Sequence, residues 1–130
     1  MNERAGPGAR PGVEEITRWV GARLDEIGGA SVGRIEGAYV DAQSGEPVWL
    51  LVRVGRFGRR CLVPARDAVA GAGHVWVPYP RDLLRGAPRV EPGEPLDIER
   101  ERELSSHYGF PRAAELADRP PGAVTSRSAA

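Results

Sequence analysis

Four short runs of strand-forming residues constrain the fold of this chain more than any other feature of its sequence. They are residues 31–41, 47–54, 59–64 and 74–79, and together they fall within fewer than fifty positions. Each run ends at a turn of glycine, proline or polar residues, which is the pattern of neighbouring strands joined by short loops. The length of 130 residues suits one small domain. We therefore predict a mainly β domain with short helices, a β-rich α+β fold.

The run over residues 31–41 departs from strict alternation near its middle. Ile35 and Ala38 are three positions apart, so a regular strand would point them to opposite faces. They share one apolar face only if an extra residue is inserted near Gly37. We therefore predict a β-bulge there, a device that bends a strand around a small barrel.

The two ends of the chain differ in composition from its middle. Residues 1–12 hold Gly, Pro and charged residues and nothing to bury, which predicts a disordered N-terminal arm. Residues 111–130 thin into Pro, Ser, Ala and Arg, which predicts a disordered C-terminal tail. The folded domain is then expected over residues 13–110.

Helix signals flank the strand-rich region. Residues 13–20 carry apolar side chains at helical spacing. Asp97 stands where a helix N-cap is expected, and Gly109 stands where a helix would end. We therefore predict a C-terminal helix at about residues 97–108.

The charges of the chain balance, with 18 basic residues, all of them arginine, and 18 acidic residues. Net neutrality removes a global electrostatic argument for a polyanionic partner, while a local patch stays open. No apolar run approaches the ~18 residues of a membrane-spanning helix, and the N-terminus lacks the apolar core of a signal peptide. We therefore expect a cytoplasmic protein with no membrane span.

The sequence offers no constellation that supports catalysis or metal binding. Cys61 lies in an apolar run, where a thiol acts as a small buried hydrophobe rather than as a nucleophile. Cys61, His74 and His107 do not have the spacing of a metal motif. The carboxylates at turns and strand ends are interpreted as solvated, and they are Asp25, Glu26, Asp41, Glu46, Asp67 and Asp82. We therefore predict a protein that is not an enzyme and uses no cofactor, with no catalytic, metal-binding or cofactor-binding residues.

Arginine is concentrated around the second hairpin. Five arginines precede the next acidic residue, with Phe57 at the hairpin tip, and they are Arg53, Arg56, Arg59, Arg60 and Arg66. Arginine beside an exposed aromatic ring is suited to RNA, and it is equally common at protein-binding surfaces. A third interpretation is a solvated hairpin whose arginines pair with acidic residues across the sheet.

Two tryptophans lie on strand faces opposite those assigned to the core. Unless Leu104 and Tyr108 of the predicted helix cover them, Trp49 and Trp76 form an exposed apolar patch, and such patches mark interfaces. The candidate interaction surface therefore comprises Arg53, Arg56, Phe57, Arg59, Arg60, Trp49 and Trp76.

Nine short motifs occur in the order and spacing of PRC-barrel proteins. They are Trp19–Gly21, Gly28–Gly33, Tyr39–Asp41, Pro47–Trp49, Gly55–Gly58, Leu62–Pro64, Val77–Tyr79, Ala87–Arg89 and His107–Gly109. Over about residues 16–110 the chain resembles the stand-alone and stress-associated PRC-barrel proteins of actinobacteria. The resemblance implies a small, strongly bent β-barrel of about six strands with a C-terminal helix packed alongside.

The resemblance also carries expectations about function. The PRC-barrel family includes the cytoplasmic part of the photosynthetic reaction centre H subunit and the second domain of the ribosome maturation factor RimM. Its members are interaction modules without shared catalytic residues, which implies an adaptor that docks protein partners or self-associates, for example as a homodimer. One alternative is an RNA- or ribosome-associated factor that uses the basic hairpin over residues 53–66. A second is an H-subunit-like role in photosynthetic electron transfer, which the lack of a membrane span in the sequence disfavours.

Overall fold

A computed structural model of the chain describes residues 11–55 and 58–129. The helices are α1 (Val13–Trp19), α2 (Arg81–Arg85), α3 (Ile98–Tyr108) and α4 (Arg112–Glu115). The strands are β1 (Arg23–Glu26), β2 (Ser31–Asp41), β3 (Pro47–Val54), β4 (Arg59–Pro64), β5 (Val69–Gly71), β6 (His74–Val77), β7 (Leu96–Asp97) and β8 (Val124–Ala129).

Strand β2 is the centre of a mixed, eight-stranded sheet. It pairs with β1 near its beginning, with β3 along most of its length and with β8 at its end. The main strand order is β4-β3-β2-β1-β6-β5, and only the β1–β6 pair in this path is parallel. Within the described residues this path does not close on itself. The structure therefore has an unclosed sheet of eight strands where a barrel of about six was expected. Strands β5 and β7, of three and two residues, are too short to leave a sequence pattern, which accounts for part of the difference in strand number.

The predicted bulge in β2 is confirmed. Ile35 pairs with Val52, and Gly37 pairs with Leu51. Because Val52 and Leu51 are consecutive in β3, Glu36 is an extra residue inserted in β2 between the two pairs. The insertion brings Ile35 and the apolar residues after Gly37 onto buried faces, as the sequence pattern requires. A bulge also bends its strand, which suits the wrapping of β2 between several partners.

Helix α3 begins and ends where local sequence signals place it. Asp97 caps α3, its Oδ1 accepting a hydrogen bond from the backbone nitrogen of Arg100 at 2.9 Å. Gly109 ends α3 in the left-handed conformation, with φ of 64°. Among the described residues, no helix is both long enough and apolar enough to cross a membrane.

Strand β3 is buried on both faces from Pro47 to Val52. Trp49 is fully buried, and its ring packs against Tyr108 and Phe110 at centroid distances of 6.1 and 5.4 Å. The prediction that Trp49 contributes to an exposed patch is therefore wrong, because the end of α3 and the residues after it cover this part of the sheet.

The prediction of a disordered tail at 111–130 is wrong for residues 111–129, which form α4 and β8. Arg112 is buried, and its Nε donates to Glu101 Oε2 at 2.8 Å. Its Nη1 lies 2.9 Å from Asp41 Oδ2 at the end of β2. These contacts attach the C-terminal segment to both α3 and the central strand.

The remaining hydrogen-bonding capacity of the Glu101 carboxylate is also used. Oε2 accepts from Trp49 Nε1 at 2.6 Å, and Oε1 accepts from Ser126 Oγ at 2.7 Å and from Thr125 Oγ1. We call Asp41, Glu101, Arg112, Thr125 and Ser126 the C-terminal clamp. The polar residues of the C-terminal segment, whose composition predicted disorder, are the hydrogen-bond partners of a buried ion pair. A buried ion pair stabilises a fold only when its hydrogen bonds are complete.

The predicted N-terminal arm falls mostly on residues 1–10, which lie outside the described residues. The two arm positions that are described lead directly into α1. Pro11 is buried, and the carbonyl of Gly12 accepts a hydrogen bond from the nitrogen of Ile16 at 3.1 Å.

Candidate interaction surface

One arginine from each of four adjacent strands stands in register on the same face of the sheet. Arg23 of β1 lies opposite Arg34 of β2, and Arg34 lies opposite Arg53 of β3. Arg53 in turn lies opposite Arg60 of β4. Neighbouring strands are ~4.8 Å apart, so the row spans roughly 14 Å. We call these four residues the arginine ladder.

The two ends of the arginine ladder are neutralised by carboxylates. Arg23 Nε lies 2.8 Å from Asp25 Oδ1, and Arg60 Nε lies 2.9 Å from Glu36 Oε1. Glu36 is the extra residue of the bulge in β2, so the bulge places a carboxylate beside β4. These pairs reduce the repulsion at both ends of the row.

The two central arginines keep their positive charge uncompensated. Arg34 and Arg53 are exposed, and no carboxylate of residues 11–55 or 58–129 forms an ion pair with either of them. Arg34 donates instead to the carbonyl of Gly21 at 3.0 Å. Like charges directly opposite each other destabilise an antiparallel pair. The sheet therefore carries an electrostatic penalty at this position.

Close packing of the backbone fixes the register of the central arginines. An ideal Cβ built on Gly33 would lie 2.1 Å from the carbonyl oxygen of Arg53, a distance that no side chain can occupy. Glycine at this position lets β2 approach β3, and the adjacent Arg34 then stands opposite Arg53.

Three members of the arginine ladder, Arg23, Arg34 and Arg53, line an open groove of about 920 Å³. Arg81 and Arg85, one turn apart on α2, also line this groove and are exposed. Its apolar lining comes from Val20, Val32 and Ile35, of which Val20 is 46% exposed. We call this cleft the arginine groove. It combines several guanidinium groups with apolar side chains, and Glu36, the partner of Arg60, also lines it.

The structure divides the predicted surface residues into groups. Arg53 and Arg60 belong to the ladder. Arg59 Nη2 donates to the carbonyl of the last residue of α2 at 3.1 Å and so joins β4 to the helix beside the groove. Arg56 and Phe57 lie outside the described residues.

Neither tryptophan of the predicted surface lines the arginine groove. Trp49 is buried beneath the C-terminal segment. Trp76 is half-buried on β6, and its ring stacks on His74 at a centroid distance of 5.7 Å. Arg66, the fifth arginine of the hairpin region, lies over the ring of Phe110 at 5.7 Å.

Sequence reasoning missed Arg23, Arg34, Arg81 and Arg85, because they are distant in the chain from the basic hairpin. A signal was present for Arg34. Once the bulge is placed, pairing the predicted strands at residues 31–41 and 47–54 sets Arg34 opposite Arg53. The contribution of α2 depends on tertiary packing and leaves no comparable pattern.

Two carboxylates that were predicted to be solvated are in fact buried, Asp25 and Asp41. Burial alone would raise the pKa of Asp25, but hydrogen bonds with Arg23 and His74 outweigh it and lower the pKa. His74 Nδ1 lies 2.9 Å from Asp25 Oδ2. The two side chains, with Arg23, form a small charged cluster across the paired strands β1 and β6.

The single cysteine is placed as the sequence predicted. Cys61 is buried, and burial raises the pKa of its thiol to about 11, which keeps it protonated at neutral pH. The ring nitrogen Nε2 of His107 lies 2.7 Å from the carbonyl of Leu83. The described ranges contain no group of three His, Cys, Asp or Glu side chains arranged to hold a metal ion.

The bulged central strand, the mixed sheet and the short helices define a small β-rich domain of a known kind. Residues 11–84 match the model of the PRC-barrel domain. This match covers more than half of the 130 residues, and the chain belongs to the PRC-barrel domain family. No curated protein matches the chain significantly. PRC-barrel domains commonly mediate protein interactions, and the whole arginine ladder lies within the matched residues.

Proposed function

We propose that this chain is a non-enzymatic interaction module, an adaptor that docks a protein partner in the arginine groove. The observation that carries the proposal is the facing pair Arg34 and Arg53 at the centre of the ladder. A facing pair of like charges destabilises a free domain, and a negatively charged partner would remove that penalty on binding. The membership in a family of interaction modules supports the same function.

The composition of the arginine groove also suits a protein partner. Protein interfaces are enriched in arginine, and they combine charged rims with a smaller apolar centre. The exposed Val20 supplies apolar contact area next to the guanidinium groups. The proposal includes the cytoplasmic location expected from the sequence.

An RNA- or ribosome-associated role is the second candidate, because guanidinium groups neutralise phosphates as well as carboxylates. Single-stranded RNA is usually held by aromatic rings that stack on its bases. The described residues that line the arginine groove include no aromatic side chain. No feature of the described residues favours the other alternative, an H-subunit-like role in photosynthetic electron transfer.

Affinity capture from a lysate of the source organism tests the proposal when it is run with a ladder variant. The wild-type protein and Arg34→Gln/Arg53→Gln would each be immobilised, with and without RNase, and bound proteins identified by mass spectrometry. The proposal predicts a protein that is retained after RNase by the wild type and lost by the variant. Capture that is equal for both proteins would contradict it, and capture that disappears with RNase would favour the RNA alternative.

A further inference from the structure

We propose that the occupant of the arginine groove is an acidic helix of a partner protein, with carboxylates repeating along one face. This inference rests on the proposed function and specifies the chemistry of the partner. It derives from the spacing of the arginine ladder, from the apolar lining beside it and from the shape of the groove.

The spacing of the ladder matches the repeat of a helix. The four strands that carry the arginines are ~4.8 Å apart, so the row of arginines spans roughly 14 Å. Side chains at i and i+4 of a helix are ~5–6 Å apart, and carboxylates at i, i+4, i+7 and i+11 would extend over ~16 Å. One face of a three-turn helix is therefore long enough to span the row, and its central carboxylates at i+4 and i+7 would face Arg34 and Arg53, the two arginines without an ion-pair partner among the described residues.

An extended acidic segment matches the ladder less well. Residues on one side of an extended chain repeat at ~6.6 Å, so the carboxylates move out of step with the arginines after two positions. Arg81 and Arg85 provide additional positive charge at the groove for carboxylates beside the main row. An apolar residue on the same helix would contact Val20, which is exposed beside the guanidinium groups.

A second copy of this chain is a weaker fit. An acidic concave surface is formed at and before the start of α3 by Glu91, Glu94, Asp97, Glu99 and Glu103, together with Arg89 and Arg100. Both that surface and the arginine groove are clefts, and two clefts cannot interlock. A convex helix fills a groove, so the shape of the site favours a partner helix over a second copy.

Fluorescence anisotropy with two labelled peptides of identical composition tests the inference. In the first peptide, glutamates at i, i+4, i+7 and i+11 lie on one helical face among alanine, glutamine and one leucine. In the second, the same residues are permuted so that the glutamates are distributed around the helix. A labelled oligouridine provides the nucleic-acid comparison, and circular dichroism reports the helix content of each peptide when bound.

The first peptide is expected to bind at least about tenfold more tightly than the second and to gain helix content on binding. Its affinity should fall at least about fivefold between low salt and physiological salt. Arg34→Gln/Arg53→Gln should reduce the affinity at least about tenfold, whereas Arg100→Gln, a substitution outside the groove, should leave it within about twofold. A melting curve of each variant confirms that the domain is folded.

Equal affinity for the two peptides, or no binding of either, would overturn the inference. Tighter binding of oligouridine, or salt-dependent self-association that the ladder variant abolishes, would overturn it in favour of RNA or of a second copy. The proposed function is judged separately by the capture experiment. If capture still depends on Arg34 and Arg53 while the peptides fail to discriminate, only the helix inference is lost.

Discussion

Arg34 and Arg53 show how a single cross-strand contact connects sequence with function. They face each other across β2 and β3, and neither has an ion-pair partner among the described residues. Replacing either by a neutral polar residue would relieve repulsion without opening a cavity. The pair is unfavourable for stability, and it lies at an open groove. We therefore assign the pair a role in binding rather than in stability.

Arg53→Gln is expected to raise the free energy of unfolding by about 0.2–1 kcal/mol, because it removes a like-charge pair. Urea denaturation at low salt measures the change, and the gain should shrink as added salt screens the charges. Arg100→Gln is the matched control, since Arg100 Nη1 lies 3.2 Å from Glu103 Oε1 on α3. The control should lose about 0.2–0.5 kcal/mol, and a loss for Arg53→Gln as well would contradict our account of the ladder.

The register of the ladder depends on Gly33. Gly33→Ala is expected to cost about 1–3 kcal/mol or more, because its Cβ would lie 2.1 Å from the Arg53 carbonyl oxygen and the strands would have to separate. Gly37→Ala is the control, since its Cβ would meet only the carbonyl oxygen of Ala129 at 3.9 Å. Chemical denaturation of both variants measures the difference. Similar losses at the two glycines would show that close approach at Gly33 does not matter.

At the scale of elements, the C-terminal clamp is the feature that joins α4 and β8 to the rest of the fold. Glu101 on α3 is 0% exposed, and all its acceptor sites face donors from Trp49, Arg112, Thr125 or Ser126. Removing one charge of a buried ion pair leaves the other without compensation, which is far more destabilising than losing a surface pair.

Arg112→Met keeps much of the side-chain volume and removes the charge, so Asp41 and Glu101 lose their shared cation. We expect the free energy of unfolding to fall by about 3–5 kcal/mol. Hydrogen exchange should show the largest loss of protection in β8, whose pairing with β2 depends on the clamp. A loss below about 1 kcal/mol, with β8 still protected, would show that the clamp does not hold the C-terminal segment.

The same elements show which parts of the fold the sequence could predict. The bulge at Glu36, the cap at Asp97 and the stop at Gly109 are local, because alternation, capping and left-handed turns are set by neighbouring residues. Strand β8 could not be predicted from its own residues, since it lacks apolar alternation and is ordered by the buried polar groups it meets. Likewise, the arginine ladder arises from pairing between strands, and only its Arg53–Arg60 portion lay within the predicted basic hairpin.

At the scale of the whole molecule, the buried carboxylates make stability depend on pH. Burial alone would raise the pKa of Asp41, but hydrogen bonds from the Ser44 and Gln43 nitrogens and from Arg112 and Arg119 outweigh it and lower the pKa well below its usual range. The unfolded chain has an ordinary aspartate pKa of ~3.9. The stabilisation from Asp41 is therefore fully present above that value and is lost as the pH falls below it, towards the lowered pKa of the folded state.

Asp41→Asn keeps a side-chain oxygen for the Gln43 and Ser44 nitrogens and removes the titrating group. We expect this variant to be less stable at neutral pH and to lose less stability than the wild type as the pH falls from about 5 to 2. Asp25, whose pKa is also lowered, should leave part of the acid dependence in place. Thermal melts of the wild type and of Asp41→Asn over this pH range measure how steeply the stability of each protein falls with pH. An unchanged slope in Asp41→Asn would show that Asp41 does not titrate as the structure requires.

We infer that the arginine groove of this PRC-barrel domain docks an acidic helix of a partner protein. The most direct measurement is an NMR titration of the labelled protein with the peptide that presents glutamates on one helical face, following every backbone amide. If the helix docks in the arginine groove, we expect salt-sensitive shift changes at residues 31–35, 53–55 and 81–85, with little change at the acidic surface around 91–103. Shift changes concentrated at that acidic surface or at β5, or no changes at all, would contradict it.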